Sequence, residues 1–288
     1  MSDAAPPSPT MPAQTEADRS DAPRTPAMGV RRFGRYNLLG VQTLLRREVL
    51  RFLKVYMQTL MAPVATAALF LGVFALALAE RRGAVLGEPF IAFLAPGVVM
   101  MTVIQNSFAN TSSSMIIAKV QGNIVDTLMP PLSPAELTFG IAIGGAARGV
   151  LVAILCSLAL FPFAGVGLAH PLWALFFVCA GALLLALIGL AGGIWADKFD
   201  HMAAVTNFIV TPLSFLSGTF YSVEGLPPVM ATLLHYNPFF YLIDGFRYGA
   251  LGVSDSSPWL GAGILVIAIA VMWTLCWRMF VTGYKLKS

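Results

Sequence analysis

The chain has 288 residues, of which 57% are hydrophobic and 11% charged, and its net charge is +4; mean hydropathy is +0.77. A soluble domain carries about 25% charged residues to cover its surface, so these figures exclude one. They also exclude a mainly disordered chain, a collagen-like repeat and a disulfide scaffold. An all-α integral membrane protein remains, with apolar length for about six spans of ~20 residues each.

Residues 1–30 hold Pro6, Pro7, Pro9, Pro12, Pro23 and Pro26 among Ser, Ala, Asp and Thr, with no apolar run. Such a composition cannot offset the entropy of ordering and reads as a disordered proline-rich tail. It lacks the apolar centre of a signal peptide, so insertion is expected to be driven by the first span. Over 36–58, Leu38, Val41, Leu45, Val49, Phe52 and Tyr56 recur at steps of three and four. Arg47, Arg51, Lys54 and Gln58 fall on another face. This pattern predicts a basic amphipathic helix at the membrane interface, drawn to the anionic headgroups of membrane lipid.

Six transmembrane helices are expected at about 57–79, 90–115, 137–163, 172–196, 202–221 and 258–280, forming a membrane domain over 57–280 with a short tail, 281–288. The second turns polar in its last third: Gln105, Asn106, Ser107 and Asn110 to Ser114. These side chains either hold helices together through hydrogen bonds or line a passage. The third opens with Ser133-Pro134-Ala135-Glu136, a capping box with proline at the first helical position. It also carries Arg148 about eleven residues in, roughly 16 Å deep at 1.5 Å per residue. An arginine there costs ~2.5–3.5 kcal/mol unless it is paired or reaches water. Two roles stay open for it: a clamp on the polar end of span two, favoured here, or a contact for an anionic substrate. Gly192-Gly193 in span four suits close helix approach, and Pro212 in span five should kink that helix.

Of eighteen Lys and Arg residues, fourteen fall on one side if there are six spans. They are Arg19, Arg24, Arg31, Arg32, Arg35, Arg46, Arg47, Arg51, Lys54, Lys119, Lys198, Arg278, Lys285 and Lys287. Arg81, Arg82 and Arg247 fall on the other. The positive-inside rule then puts both termini in the cytoplasm.

No catalytic or metal-ligating constellation emerges. Cys156, Cys179 and Cys276 lie singly in apolar runs, and His170, His201 and His235 fall at span ends or in loops on both sides. Asp197, Asp200 and His201 read as an ordinary turn. There is no GxxxxGK[ST] run, so the chain does not itself cradle ATP phosphates. It carries no cofactor of its own, and nothing in it points to nucleic acid. In the cytoplasmic segment Lys119 to Glu136, Ile117, Val120, Ile124, Val125 and Leu128 suit one apolar side of a short helix stopped by Pro130 and Pro131. That helix either docks into another protein's groove or lies on the membrane as a loop.

Several of these features together resemble the membrane subunit of type 2 ABC exporters. They are the basic interfacial helix, the run Gly122 to Ser133 with Glu136, the segment Pro212 to Tyr221, and then Leu226-Pro227, Asn237-Pro238, Tyr241 and Arg247. The resemblance covers residues 36–280. It implies a permease homodimer with two ABC ATPase subunits docked below, the ATP and magnesium being held by those subunits. It makes Gly122, Asp126, Leu128, Pro130, Leu132, Ser133 and Glu136 the coupling segment. It also implies short re-entrant helices between spans five and six, and a path or dimer seam along spans one and five. Candidate path residues are Gln105, Asn106, Asn110, Asn207, Thr211, Ser214, Phe215, Ser217 and Tyr221. The implied function is outward movement of a polysaccharide, lipid-linked or amphipathic substrate across the inner membrane by alternating access. The competing readings are an ion-coupled secondary transporter, which usually wants an intramembrane carboxylate, and a membrane-embedded lipid or glycan transferase. No Asp or Glu lies in the central part of any expected span.

Overall fold

A computed structural model describes residues 37–78 and 83–286. The proline-rich tail, Arg19, Arg24, Arg31, Arg32, Arg35, Arg81, Arg82 and Lys287 lie outside the described residues. Among those described, every regular element is a helix.

α1 (Leu38–Leu53) opens at Asn37, whose side chain accepts from the Gly40 amide at 2.9 Å. A turn at Lys54 and Val55 separates it from a π-helical turn (Met57–Met61) that runs into α2 (Ala62–Leu78). α3 (Phe90–Val120) has 31 residues, about 46 Å at 1.5 Å per residue, and so overruns a hydrocarbon core of ~30 Å. The expected end near 115 falls short of it, because the polar run Gln105 to Ser114 stays helical where other helices cover it. α4 (Ile124–Leu128) follows, then α5 (Pro134–Ala164), whose capping box forms as the sequence requires: Glu136 N donates to Ser133 Oγ and Ser133 N to Glu136 Oε2. α6 (Pro171–Trp195) completes a central group with α3 and α5.

The stretch expected as span five is divided among α7 (Phe199–Val205), a π turn (Thr206–Val210) and α8 (Thr211–Leu216). Its bonding shifts just before Pro212. A π turn pairs carbonyls five residues on, which relieves the clash between a proline ring and the carbonyl four residues back. A 3-10 turn (Val223–Gly225), α9 (Pro228–His235) and α10 (Pro238–Leu251) lead to α11 (Pro258–Thr282).

Five helices among the described residues are long and apolar enough to cross a membrane: Met57–Ala77, α3, α5, α6 and α11. The stretch over 202–221 is not one of them, as its breaks and its polar residues Thr206, Asn207, Thr211 and Ser214 dilute it. α3 buries 83% of its most apolar stretch inside the protein, against 17% for Met57–Ala77 and 17% for α11. The helix with the most polar half is therefore the centre, and more apolar helices form the rim.

Close approach at that centre depends on missing side chains. A Cβ on Gly189 of α6 would stand 2.4 Å from the Phe108 carbonyl oxygen and 2.4 Å from Thr111 Oγ1 on α3. The space is used by Thr111, which donates to the Ala186 carbonyl at 2.7 Å. Gly189→Ala is expected to push α6 off α3 and cost about 1–3 kcal/mol, in line with overpacking of a dense core. A thermal unfolding midpoint in detergent lower than that of the unaltered chain checks it; an unchanged midpoint would show that the contact yields.

Candidate functional site

The chain turns after α3 at Gly122, which takes φ +73°. The next short helix has two sides. Ile124, Leu128 and Leu132 pack with Leu44, Leu137 and Ile141. Val125 and Met129, one turn apart, point outward and are 52% and 75% exposed, beside exposed Asp126, Pro130 and Pro131. The single apolar side expected from Ile124, Val125 and Leu128 is thus split, because a five-residue helix resting on a core turns adjacent residues away from each other.

Three contacts fix this segment from behind. Asn37 Nδ2 donates to the Pro131 carbonyl at 3.1 Å, and Asn37 N to Glu136 Oε1 at 2.6 Å. Arg47 Nη1 donates to Thr127 Oγ1 at 3.2 Å. Glu136 therefore holds both the start of α1 and the start of α5. Of the seven expected coupling residues, Leu128, Leu132 and Glu136 are internal supports, while Gly122, Asp126, Pro130 and Ser133 face outward.

Beside it, Lys119 Nζ donates to the carbonyls of Ile194 and Ala196 at 2.8 and 2.5 Å, and Lys285 Nζ to that of Trp195 at 3.0 Å. Two ammonium groups thus cap the carbonyl end of α6, where the helix dipole favours positive charge. Both also reach Asp197, at 3.5 and 2.7 Å. The hydrogen bond and charge of Lys285, with Lys119 adding, hold the Asp197 carboxyl below the usual carboxylate range. This tie is complete at neutral pH and is lost only as the pH falls through that lowered range. It joins the ends of α3 and α6 to the C-terminal end of the described chain, at the same end of the bundle as Asn37 and α4.

α1 is pinned by a buried carboxylate. Glu48 is 1% exposed and pairs with Arg47 at 3.1 Å and Arg51 at 3.2 Å, while Ser114 Oγ donates to it at 2.9 Å. Arg51 also donates to the Asn110 carbonyl at 2.7 Å and to Ser113 Oγ at 3.3 Å. The buried face of α1 is Leu44, Glu48 and Phe52, while Leu38 is exposed. Deeper along α3, Arg148 Nη2 donates to Asn106 Oδ1 at 2.7 Å.

The expected path residues do not form one lining. Asn106 and Asn110 are buried on α3, and Gln105 is half-buried. On the other stretch, Ser214 and Ser217 are buried and donate to the Val210 and Leu213 carbonyls, Thr211, Phe215 and Tyr221 are half-buried, and Asn207 is exposed. Tyr221 donates to the Leu216 carbonyl, and Phe215 stacks on Phe220 with centroids 5.5 Å apart. Phe70 and Phe74 of α2 meet Phe215 and Phe220 at 6.1 and 4.9 Å, so the aromatic part of this stretch rests on α2.

At the far end of the bundle Arg247 is wholly buried. It donates to the Gly218 carbonyl at 2.7 Å, lies 3.8 Å over the Phe93 ring and sits 3.9 Å from Asp244. Asp244 accepts from Asp255 N, Ser256 N and Ser256 Oγ at 2.8, 2.9 and 2.6 Å. Asn237 caps α10 and donates to Ser217 Oγ at 2.8 Å. The segments Pro212 to Tyr221, Asn237-Pro238 and Arg247 thus converge on one knot with distant Phe93. Glu48, Asn37 and Thr127 are the structural partners that sequence reading missed. Glu48 had one signal: it is the lone carboxylate of 36–58, among Arg46, Arg47 and Arg51.

Comparison with known proteins places these features in a family. The ABC-2 type transporter family model matches residues 40–251. The chain is 35% identical over 250 residues to the inner membrane transport permease YadH of Escherichia coli strain K12, covering 87% of this chain and 98% of that one. It is 25% identical over 239 residues to Nodulation protein J of Rhizobium leguminosarum bv. viciae, covering 78% of this chain and 88% of that one. A similar alignment, 26% identical over 239 residues, relates it to Nodulation protein J of Neorhizobium galegae.

Removing the Glu48 charge leaves Arg47 and Arg51 facing each other. Glu48→Gln is expected to cost about 2–3 kcal/mol, below the figure for a fully buried pair because both arginines partly reach water. Unfolding of the purified chain measures it. Cleavage near residues 54–56 by added protease should also rise as α1 loosens. Neither changing would mean that apolar contacts alone hold α1.

Proposed function

The chain belongs to the ABC-2 type transporter family, and on that premise we propose that it is the permease subunit of an ATP-driven exporter. It works as a homodimer with two ABC ATPase subunits, which supply ATP, magnesium and hydrolysis. It moves a polysaccharide, lipid-linked or amphipathic substrate outward across the inner membrane by alternating access. Both termini are cytoplasmic. The broken stretch over 202–221 is the sixth crossing, and α9 and α10 are re-entrant.

One observation carries this reading: Val125 and Met129 stand outward on a short helix that α1, α5 and Arg47 brace from behind. A braced apolar knob transmits a push, whereas a surface loop would absorb it. The even number of crossings is supported by Asn37 and Lys285, which lie at the same end of the bundle although five long helices separate them. The rings of α2 packed against Phe215 and Phe220 support a path or seam along spans one and five.

Co-expression with an ABC ATPase tests the reading. The two proteins are expected to purify together, and the complex to hydrolyse ATP. Val125→Asp combined with Met129→Asp should cut recovery of the ATPase about tenfold or more, since an apolar contact becomes a buried charge, while the permease stays monodisperse. Transport by the chain alone, driven by a proton gradient, would defeat the proposal.

A further inference from the structure

α11 ends at Gly283, which takes φ +66°, and Tyr284 N donates back to the Met279 carbonyl at 3.1 Å. The turn carries Lys285 to the Trp195 carbonyl at the end of α6. Between these two helix ends lies a cleft of about 520 Å³. Its walls are mainly apolar, with Ala191 and Trp195 from α6 and Leu275 and Met279 from α11. Arg278, Thr282 and Tyr284 supply its polar lining. Thr282 is satisfied within its own helix, donating to the Arg278 carbonyl at 2.9 Å.

Tryptophans at both ends of α6 and α11 mark how deep this cleft sits. Trp173 and Trp259 meet at one end, with centroids 4.7 Å apart. Trp195 and Trp277 stand at the other, 45% and 40% exposed. Trp259 and Trp277 are eighteen residues apart on α11. That is about 27 Å at 1.5 Å per residue, close to the ~30 Å of a hydrocarbon core. Tryptophan favours headgroup depth, so Arg278, the residue after Trp277, lies at the level of lipid phosphates.

Charge points the same way. Arg278 is exposed, and its side chain has no ion pair among the described residues. Asp197, two residues beyond Trp195, is already shared by Lys119 and Lys285. Lys285 Nζ stands 5.6 Å over the Trp195 ring, so a second cation borders the same wall. Water alone would solvate the guanidinium but leave the apolar wall below it bare. A symmetric pairing of two copies along α11 would bring no carboxylate to Arg278, as that helix has none. A phospholipid meets both needs at once, since its phosphate accepts from arginine and its chain covers the wall.

We propose that the cleft between the ends of α6 and α11 holds one anionic phospholipid of the surrounding bilayer, its phosphate on Arg278 and an acyl chain along Trp195, Leu275 and Met279. Such binding needs no ATPase and no transport, and it is measured on the full chain alone. Its failure and that of the permease reading are therefore separate results.

Native mass spectrometry of the full chain in neutral detergent, with equal amounts of phosphatidylglycerol and phosphatidylcholine, provides the test; millimolar inorganic phosphate is added in a second arm. The unaltered chain is expected to retain phosphatidylglycerol about tenfold better, as one charge-assisted contact allows. Arg278→Gln should abolish that preference and Arg278→Lys should keep most of it, because a phosphate accepts from either cation. Leu275→Asn should lower retention of both lipids several-fold by wetting the wall. Arg46→Gln, on the exposed side of α1, should change nothing, and phosphate should not displace the lipid. Equal retention of the two lipids overturns the proposal, as does a preference that survives Arg278→Gln or is lost equally in Arg46→Gln. Retention untouched by Leu275→Asn, or displacement by phosphate, would show a free anion in place of a lipid. Conversion of dimers to monomers by Arg278→Gln with lipid retention unchanged would assign the cleft to a second copy of the chain.

Discussion

The structure depends on one constraint: the polar second half of α3 must be buried and still find partners. Inside a membrane protein an unsatisfied polar group is costly, because no bulk water replaces the lost bond. Each neighbour of α3 answers this need. α6 comes close enough at Gly189 for Thr111 to reach the Ala186 carbonyl. α1 brings Glu48 and Arg51 to Ser113, Ser114 and the Asn110 carbonyl. α5 gives up side chains at Gly144, Gly145 and Gly149 and brings Arg148 to Asn106. Amphipathic α1 is therefore a structural wall of the bundle.

The two ends of the bundle are fastened by different chemistry. At the α4 end, a capping box, an asparagine and two lysines tie helix termini together, using the unpaired amides and carbonyls that every helix end exposes. At the far end, a buried arginine links Gly218, Phe93 and Asp244, and so connects the end of α8 to α3 and α10. A push on Val125 and Met129 would enter through the first set and reach the second along α3 and α5, both 31 residues long. That arrangement suits a protein that passes motion from one end to the other.

Much of the fold was legible. Hydropathy and length mark the long helices, since apolar runs have one stable outcome in a bilayer, and Ser133 to Glu136 marks a helix start by local bonding alone. The site was legible only in parts. Arg148 and the polar run of α3 stand out because each breaks an apolar pattern, and Glu48 hides because a carboxylate among arginines reads as ordinary surface. Val125 and Leu128 look alike in the sequence, yet one faces out and the other in.

By itself the sequence determined a membrane protein and its long helices. These follow from composition and from contacts within a few residues. Only the tertiary structure decided that the polar half of α3 is central, that Glu48 is its buried partner and that Arg148 meets Asn106. It also decided that Arg247 knots three segments together. Those facts depend on which helices touch and how closely, and that is set by glycines and by bonds across tens of residues that no local pattern encodes.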